Sequence, residues 1–272
     1  VCSSDLLFKQ ELVDLESPSG QDAYPDFLRY IGEEKNLAEA RAFWKSYLRD
    51  IPFSTLPNVP GWSKEQEPDF RTLILRLDPE RMARLAANCA AERISLLSFV
   101  LYAYGKALMK LLNEDALVLQ MMSSGRGIPV PEIDRTVGCL IQYIPVVIRQ
   151  ADSPADFQRS CLEADRYGYL STTEIWQTAR EMEHHPKLAP FLISEVFPPV
   201  QTQGYYVELE KRDYEHMMIS SFVVKDSTGL AVYFHFDAAQ ISEAFYRRLA
   251  AETERTLLAF AGTPAEQEEQ ML

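Results

Sequence analysis

The chain has 272 residues, 47% hydrophobic and 25% charged, enough for one large domain with a sizeable core or for two small ones. Its 27 Lys and Arg against 40 Asp and Glu give a net charge of -13, the wrong sign for recognising phosphate on nucleic acid or on an anionic membrane. No apolar run is long enough to span a bilayer, no secretory pattern stands at the first residues, and Cys2, Cys89, Cys139 and Cys161 form no C-x-x-C pair. Neither a disulfide framework nor a zinc site is expected, and a reducing, cytoplasmic compartment is.

Val1 to Leu6 match the translated end of a common sequencing adapter and are expected not to belong to the fold. From there the elements follow in order. Leu7 to Leu15 reads as a short amphipathic helix, ended by Ser17-Pro18-Ser19-Gly20. Ala40, Phe43, Trp44, Tyr47 and Leu48 recur at helical spacing and predict a helix over Leu37 to Arg49. Asn58 to Pro68 reads as an exposed loop. Arg71 to Leu77 predicts a strand, and Asp78-Pro79-Glu80 carries the cap, first-turn proline and acid of a helix running to about Ala91. Ser95 caps a second, almost wholly apolar helix to Leu112.

Asp115 to Met122 reads as a buried strand, Ser123 to Arg135 as a Gly/Pro loop, and Cys139 to Arg149 as a strand buried on both faces. Cys89 and Cys139 sit in apolar stretches and are expected to behave as small hydrophobes. Ser153-Pro154 opens a helix to about Leu170, and Thr173 a shorter one to Glu183. Pro190 to Phe197 predicts a strand, Met217 to Val224 and Leu230 to Phe236 a hairpin, and Ile241 to Ala261 the closing helix. This order predicts a layered α/β sandwich with parallel and antiparallel neighbours; it does not alternate strictly enough for a TIM barrel or a doubly wound sheet.

No complete catalytic constellation stands in these residues. His184-His185 follows an acidic helix end with no acid downstream to orient a ring, so it reads as a helix C-cap. His216 and His235 sit in or near strands and read as structural. There is no G-x-S-x-G, Gly125-Arg126-Gly127 lacks the ending of a P-loop, and no dinucleotide fingerprint follows a strand. Phe99, Tyr102, Tyr104 and Met109 on the Ser95 helix read as core.

Several segments, in order, resemble the condensation domains of nonribosomal peptide synthetases. Tyr24-Pro25-Asp26-Phe27-Leu28-Arg29-Tyr30 resembles the family's Y-x-D-F-x-x-W, with Tyr30 for Trp. Trp44 to Leu48, Pro52 and Leu56-Pro57 resemble its Y-W-x-x-x-L-x-x-x-P-x-x-L-P passage, and Ile94-Ser95-Leu96 opens its G-V-T-L-F helix. Most specific is the block from Gly125-Arg126 through Pro129 and Pro131-Glu132 to Val137-Gly138-Cys139-Leu140-Ile141-Gln142-Tyr143-Ile144-Pro145 and Arg149. It resembles G-R followed by V-G-x-F-V-N-T-x-P-x-R, with Leu140 for Phe and Gln142 for Asn. The H-Q-D-x-P-F-E motif is poorly kept around Tyr167 to Trp176.

The resemblance implies one lobe of a two-lobed, chloramphenicol acetyltransferase-like domain. Residues 7–60 would be the end of the N-terminal lobe and a linker, 61–263 the C-terminal lobe, and 264–272 the start of a linker to an adenylation domain. It implies peptide-bond formation between substrates carried on the 4'-phosphopantetheine of donor and acceptor carrier proteins, with no cofactor bound. The implied partners are peptidyl carrier proteins, an adjacent adenylation domain and the N-terminal lobe. Gln142, Arg126, Gly125 and Gly138 would line the substrate tunnel, with Arg126 alternatively fixing its own loop and the two glycines serving backbone geometry. The family's H-H-x-x-x-D-G motif is absent; family spacing would put its Asp-Gly near Val1-Cys2, which predicts truncation and an inactive isolated chain. Two readings stay beside this one: a stand-alone acyltransferase of the same superfamily, and a non-catalytic docking platform for carrier proteins.

Overall fold

The structure, a computed structural model, describes residues 23–49, 69–136, 138–180, 192–195, 219–226, 228–239 and 241–262. Among them the helices are α1 (Tyr24–Gly32), α2 (Glu34–Tyr47), α3 (Pro79–Ala91), α4 (Leu96–Leu112), α5 (Pro154–Arg166), α6 (Thr172–Arg180) and α7 (Glu243–Phe260). The strands are β1 (Phe70–Leu77), β2 (Ala116–Ser123), β3 (Gln142–Arg149), β4 (Leu192–Glu195), β5 (Ile219–Asp226) and β6 (Gly229–Asp237). They form one mixed sheet in the order β1-β6-β5-β4-β2-β3. The short β4 joins two antiparallel blocks, running parallel to β5 on one side and to β2 on the other. The expected layered α/β sandwich with a mixed sheet is therefore present.

Local chemistry sets most boundaries. The Asp78 carboxylate accepts the Arg81 N–H at 2.8 Å, and Pro79 fills the first helical position, where no N–H is needed. Ser95 Oγ accepts from Ser98 N–H at 3.0 Å to start α4. Ser153 and Asp156 form a reciprocal capping box at α5, and Asp226 to Gly229 closes the β5–β6 hairpin.

Period-2 alternation aims β1 and β6 at the helices. Leu73, Leu75 and Leu77 lie opposite Phe234, Val232 and Leu230, while Thr72, Ile74 and Arg76 point to the other, open face. On the helical side Phe234 stacks with Tyr104 of α4, and Phe236 with Tyr246 of α7. Apolar nearly all round, α4 packs among α3, α5, α7, β2 and β3. Gly105 makes the approach to the sheet possible, since a Cβ there would stand 2.8 Å from Ile148 Cδ1.

The strand β3 lies at the sheet edge, yet Ile144 to Ile148 are all buried. The free edge is covered by α2, α5 and α6. Val147 N–H donates to Tyr47 Oη at 3.0 Å, Ser160 Oγ donates to Val147 O at 3.3 Å, and the two hydroxyls meet at 2.6 Å. Thr172 Oγ1 closes on Tyr143 O at 2.7 Å.

Tertiary packing moves several expected boundaries. The segment from Tyr24 to Tyr30 is helical, with Pro25 in its first turn and Phe27 buried. The second helix begins at Glu34, three residues before Leu37, because the buried Asn36 donates to Tyr30 O at 2.7 Å and locks its first turn to the end of α1. The helix α5 ends at Arg166 rather than near Leu170. There the Gly168 backbone settles on β3, where a Cβ would meet Ile144 Cγ2 at 3.1 Å. Cys89 is buried as expected, but Cys139 is exposed, because β3 starts only at Gln142. The helix expected over Leu7 to Leu15, the loop from Asn58 to Pro68, and Cys2, His184, His185 and His216 lie outside the described residues.

Candidate functional site

The candidate site is the connection from β2 to β3, where the sequence placed Gly125, Arg126, Gly138 and Gln142. Ser123, the last residue of β2, is buried at 2% exposure. Its hydroxyl makes a short hydrogen bond to Asp165 Oδ1 at the end of α5 and accepts the Gly125 N–H at 3.1 Å. One buried hydroxyl thus ties the turn to α5.

Gly125 is held in the left-handed region, with φ of 70°. A Cβ there would lie 1.9 Å from the Leu140 carbonyl oxygen, so only glycine allows the two limbs of the connection to touch. Arg126 turns its guanidinium back on its own loop, donating to Ser124 O at 3.2 Å and to Thr136 O at 3.0 Å. Thr136 closes a single 3-10 turn over Ile133–Arg135, so Arg126 spans the loop from entry to exit. Gly127 lies flat against the Asp165 carboxylate.

The returning limb is placed as closely. A Cβ on Gly138 would stand 3.0 Å from the Tyr24 ring, which brings α1 against the connection. Leu140 is buried at 1% exposure, and Gln142 opens β3 directly opposite Ser123, half-buried. All four sequence-nominated residues therefore stand on one connection at one end of the β2–β3 pair.

An aromatic wall continues this end of the sheet. The rings of Tyr30 and Tyr169 meet edge-on at 5.4 Å, and Tyr169 Oη donates to Asn36 O at 2.8 Å. Burial pushes the phenols of Tyr30, Tyr143 and Tyr169 above their ordinary value, so they stay neutral hydroxyls. The Cys161 thiol is pushed up to about 12 by burial and by the neighbouring Asp165 carboxylate, which keeps it protonated and unreactive.

Sequence reasoning missed Ser123, Asp165, Gly127 and Gly168. Ser123 and Asp165 are 42 positions apart, so no spacing rule joins them. Gly168 was the one visible cue, a glycine inside the poorly kept motif. Among the described residues no His is hydrogen-bonded to the Ser123–Asp165 pair, whose bonds tie the Gly125 backbone to the end of α5. His235 is on β6, its Nδ1 2.7 Å from Thr72 Oγ1 across the β1 pairing. Among the described residues no cluster of His, Cys, Asp or Glu is placed to hold a metal, and no single helix is long and apolar enough to cross a membrane.

Comparison with known proteins gives this arrangement a family. The model of the Condensation domain matches residues 7–272. The chain is 27% identical over 173 residues to nonribosomal peptide synthetase 8 of Aspergillus fumigatus, covering 61% of this chain and 2% of that protein. It is 26% identical over 159 residues to bacitracin synthase 3 of Bacillus licheniformis, covering 56% of this chain and 2% of that protein. It thus spans only a few per cent of the length of these curated relatives. Among solved structures, the cyclization-docking bidomain of EpoB from Sorangium cellulosum shares the fold at a TM-score of 0.70 and 15% identity, over 97% of this chain and 58% of that one. The condensation domain of the monacolin K polyketide synthase MokA does so at 0.68 and 14%, over 97% and 67%. With the family model matched from residue 7 to residue 272, the chain belongs to the Condensation domain family.

Proposed function

We propose that the protein supplies the C-terminal lobe of an amide-forming condensation enzyme within a nonribosomal peptide synthetase. In that reaction the amine of an acceptor carrier-bound aminoacyl group attacks the carbonyl of a donor carrier-bound thioester. The C–N bond forms, the C–S bond breaks, and the donor phosphopantetheine leaves as a thiol carrying the proton the amine gives up. The observation that carries this reading is the family match over residues 7–272, together with the Gly125-to-Arg149 block.

Gln142, Arg126, Gly125 and Gly138 are proposed to line the substrate tunnel. Gly125 and Gly138 do so by keeping the wall free of side chains, Arg126 by holding the loop rigid, and Gln142 by offering its amide at the start of β3. Residues 7–60 are proposed as the end of the N-terminal lobe and its linker, 61–263 as the C-terminal lobe, and 264–272 as the start of the next linker. Donor and acceptor peptidyl carrier proteins, an adenylation domain and the N-terminal lobe are the proposed partners. The site of action is proposed to be the cytoplasm.

The 272 residues contain no H-H-x-x-x-D-G, the motif whose second His serves the family as positioner or base for the amine. The chain alone is therefore expected to be inactive. The test is to incubate the purified chain, and separately a protein joining it to an N-terminal lobe that carries the motif, with two loaded carrier proteins. Condensed product is then followed by mass spectrometry. Product from the joined protein and none from the chain alone is expected; product from the chain alone overturns the assignment of the base, and none from either overturns the enzymatic reading.

A further inference from the structure

Asp165 stands where its own helix gives no reason for it. It is the second-last residue of α5, and the partial negative charge at a helix C-terminus opposes an acid there. Its carboxylate works outside the helix. Oδ1 accepts the Ser123 hydroxyl proton in a short hydrogen bond, and a Cβ on Gly127 would collide with Oδ2. A Cβ on Gly168 would stand 3.5 Å from Ser123 Oγ and 3.1 Å from the Asp165 carbonyl oxygen, so the chain leaving α5 closes over the same hydroxyl.

Ser123 is buried at 2% exposure and has one proton to give. Committing it to a carboxylate makes the stronger, charge-assisted kind of bond. It also fixes the direction of the oxygen's lone pairs, one of which accepts the Gly125 N–H at 3.1 Å. Gly125 in turn leaves no room for a Cβ against the Leu140 carbonyl, and Gln142, two residues on, is the cross-strand partner of Ser123. One carboxylate thus locates Gly125, Leu140 and Gln142 through one hydroxyl. Arg126 braces the same loop separately, through Ser124 O and Thr136 O.

We propose that Asp165 is a positioning residue for the β2–β3 connection, setting Gly125 and Gln142 through the Ser123 hydroxyl, a role whose effect on the reaction rests on the amide-forming reading above. Asp165 acts on Ser123 and not on the reacting atoms. Without the carboxylate the buried hydroxyl must turn to find another acceptor, and its lone pairs leave the Gly125 N–H.

The test has two readouts. In the chain itself, hydrogen–deuterium exchange of the amides of residues 124–136 is expected to be about tenfold or more faster in Asp165→Ala, with exchange in α7 unchanged. In the protein joined to an N-terminal lobe, supplied with two loaded carrier proteins, Asp165→Ala is expected to lower kcat about 10- to 100-fold with KM for either carrier protein unchanged, because a displaced wall misaligns the bound substrates without touching the carriers. Asp165→Asn keeps an oxygen for the Ser123 hydroxyl and is expected to recover part of the rate. Gly127→Ala pushes the carboxylate aside without removing it and is expected to act in the same direction as Asp165→Ala. Unchanged exchange across the connection overturns the proposal, as does faster exchange spread equally over α7. An unchanged kcat in the joined variants does the same for the role in the reaction. No product from the unmodified joined protein overturns the amide-forming reading and that role with it, while the exchange comparison by itself still decides whether Asp165 holds the connection.

Discussion

Single atoms decide the shape of the β2–β3 connection. Gly125→Ala is expected to destabilise the chain by more than about 2 kcal/mol, because the new Cβ meets the Leu140 carbonyl and the residue must also hold a positive φ. Urea unfolding measures this, and a loss below about 1 kcal/mol would mean that the turn relaxes at little cost. Asp165→Asn keeps the size of the side chain but replaces the carboxylate that Ser123 holds, and is expected to cost about 1–2 kcal/mol. His235 acts through pH. Burial lowers its pKa below the ordinary 6.5, so the folded chain keeps it neutral where the unfolded chain takes up a proton. The unfolded state then binds more protons, and stability falls as pH drops from about 7 toward the folded value. Chemical denaturation at pH 7 and pH 5.5 is expected to show this loss, reduced in His235→Gln; an equal loss in the variant would place the pH dependence elsewhere.

Among the elements, β3 and α2 depend on each other most. An edge strand exposes unpaired N–H and C=O groups, and here Tyr47 and Ser160 cover both of those on Val147. Burial pushes the Tyr47 phenol well up, so it remains a neutral hydroxyl across the working pH range. Tyr47→Phe is expected to cost about 1–3 kcal/mol by leaving a buried N–H unpaired. A double-mutant cycle with Ser160→Ala is expected to give a coupling energy of at least about 0.5 kcal/mol, because the two hydroxyls serve one peptide unit. Additive losses would show that they act separately. Trp44 extends the same link, fully buried and donating its indole N–H to Tyr167 O at 3.1 Å.

At the scale of the whole molecule, one continuous apolar core runs from Ala23 and Phe27 in the first described residues to Ala261 at the end of α7. The helices α1 and α2 sit on that core even though they fall within residues 7–60, which are proposed to end the other lobe. Unfolding is accordingly expected to be a single cooperative transition, with tryptophan fluorescence and far-ultraviolet circular dichroism giving coincident midpoints. Two separated midpoints would show that α1 and α2 melt as a unit of their own.

By itself the sequence determined whatever depends on near neighbours along the chain. The starts of α3, α4 and α5 follow from Asp78-Pro79, Ser95 and Ser153-Pro154, because a cap needs only the N–H groups of the next turn. The alternation of Leu73, Leu75 and Leu77 and the hairpin at Gly229 are equally local, and the Gly125-to-Arg149 block named the family through its motif alone. The exposure of Cys139, the end of α5 at Arg166 and the Ser123–Asp165 bond were decided by tertiary structure. Each depends on a partner brought close by folding rather than by sequence spacing. The insertion of β4 between β2 and β5 is of the same kind, since a four-residue strand carries too little pattern to reveal its neighbours. Local rules see only a few residues in either direction, whereas the candidate site is assembled from α1, the β2–β3 connection and the end of α5, which meet only when the core closes.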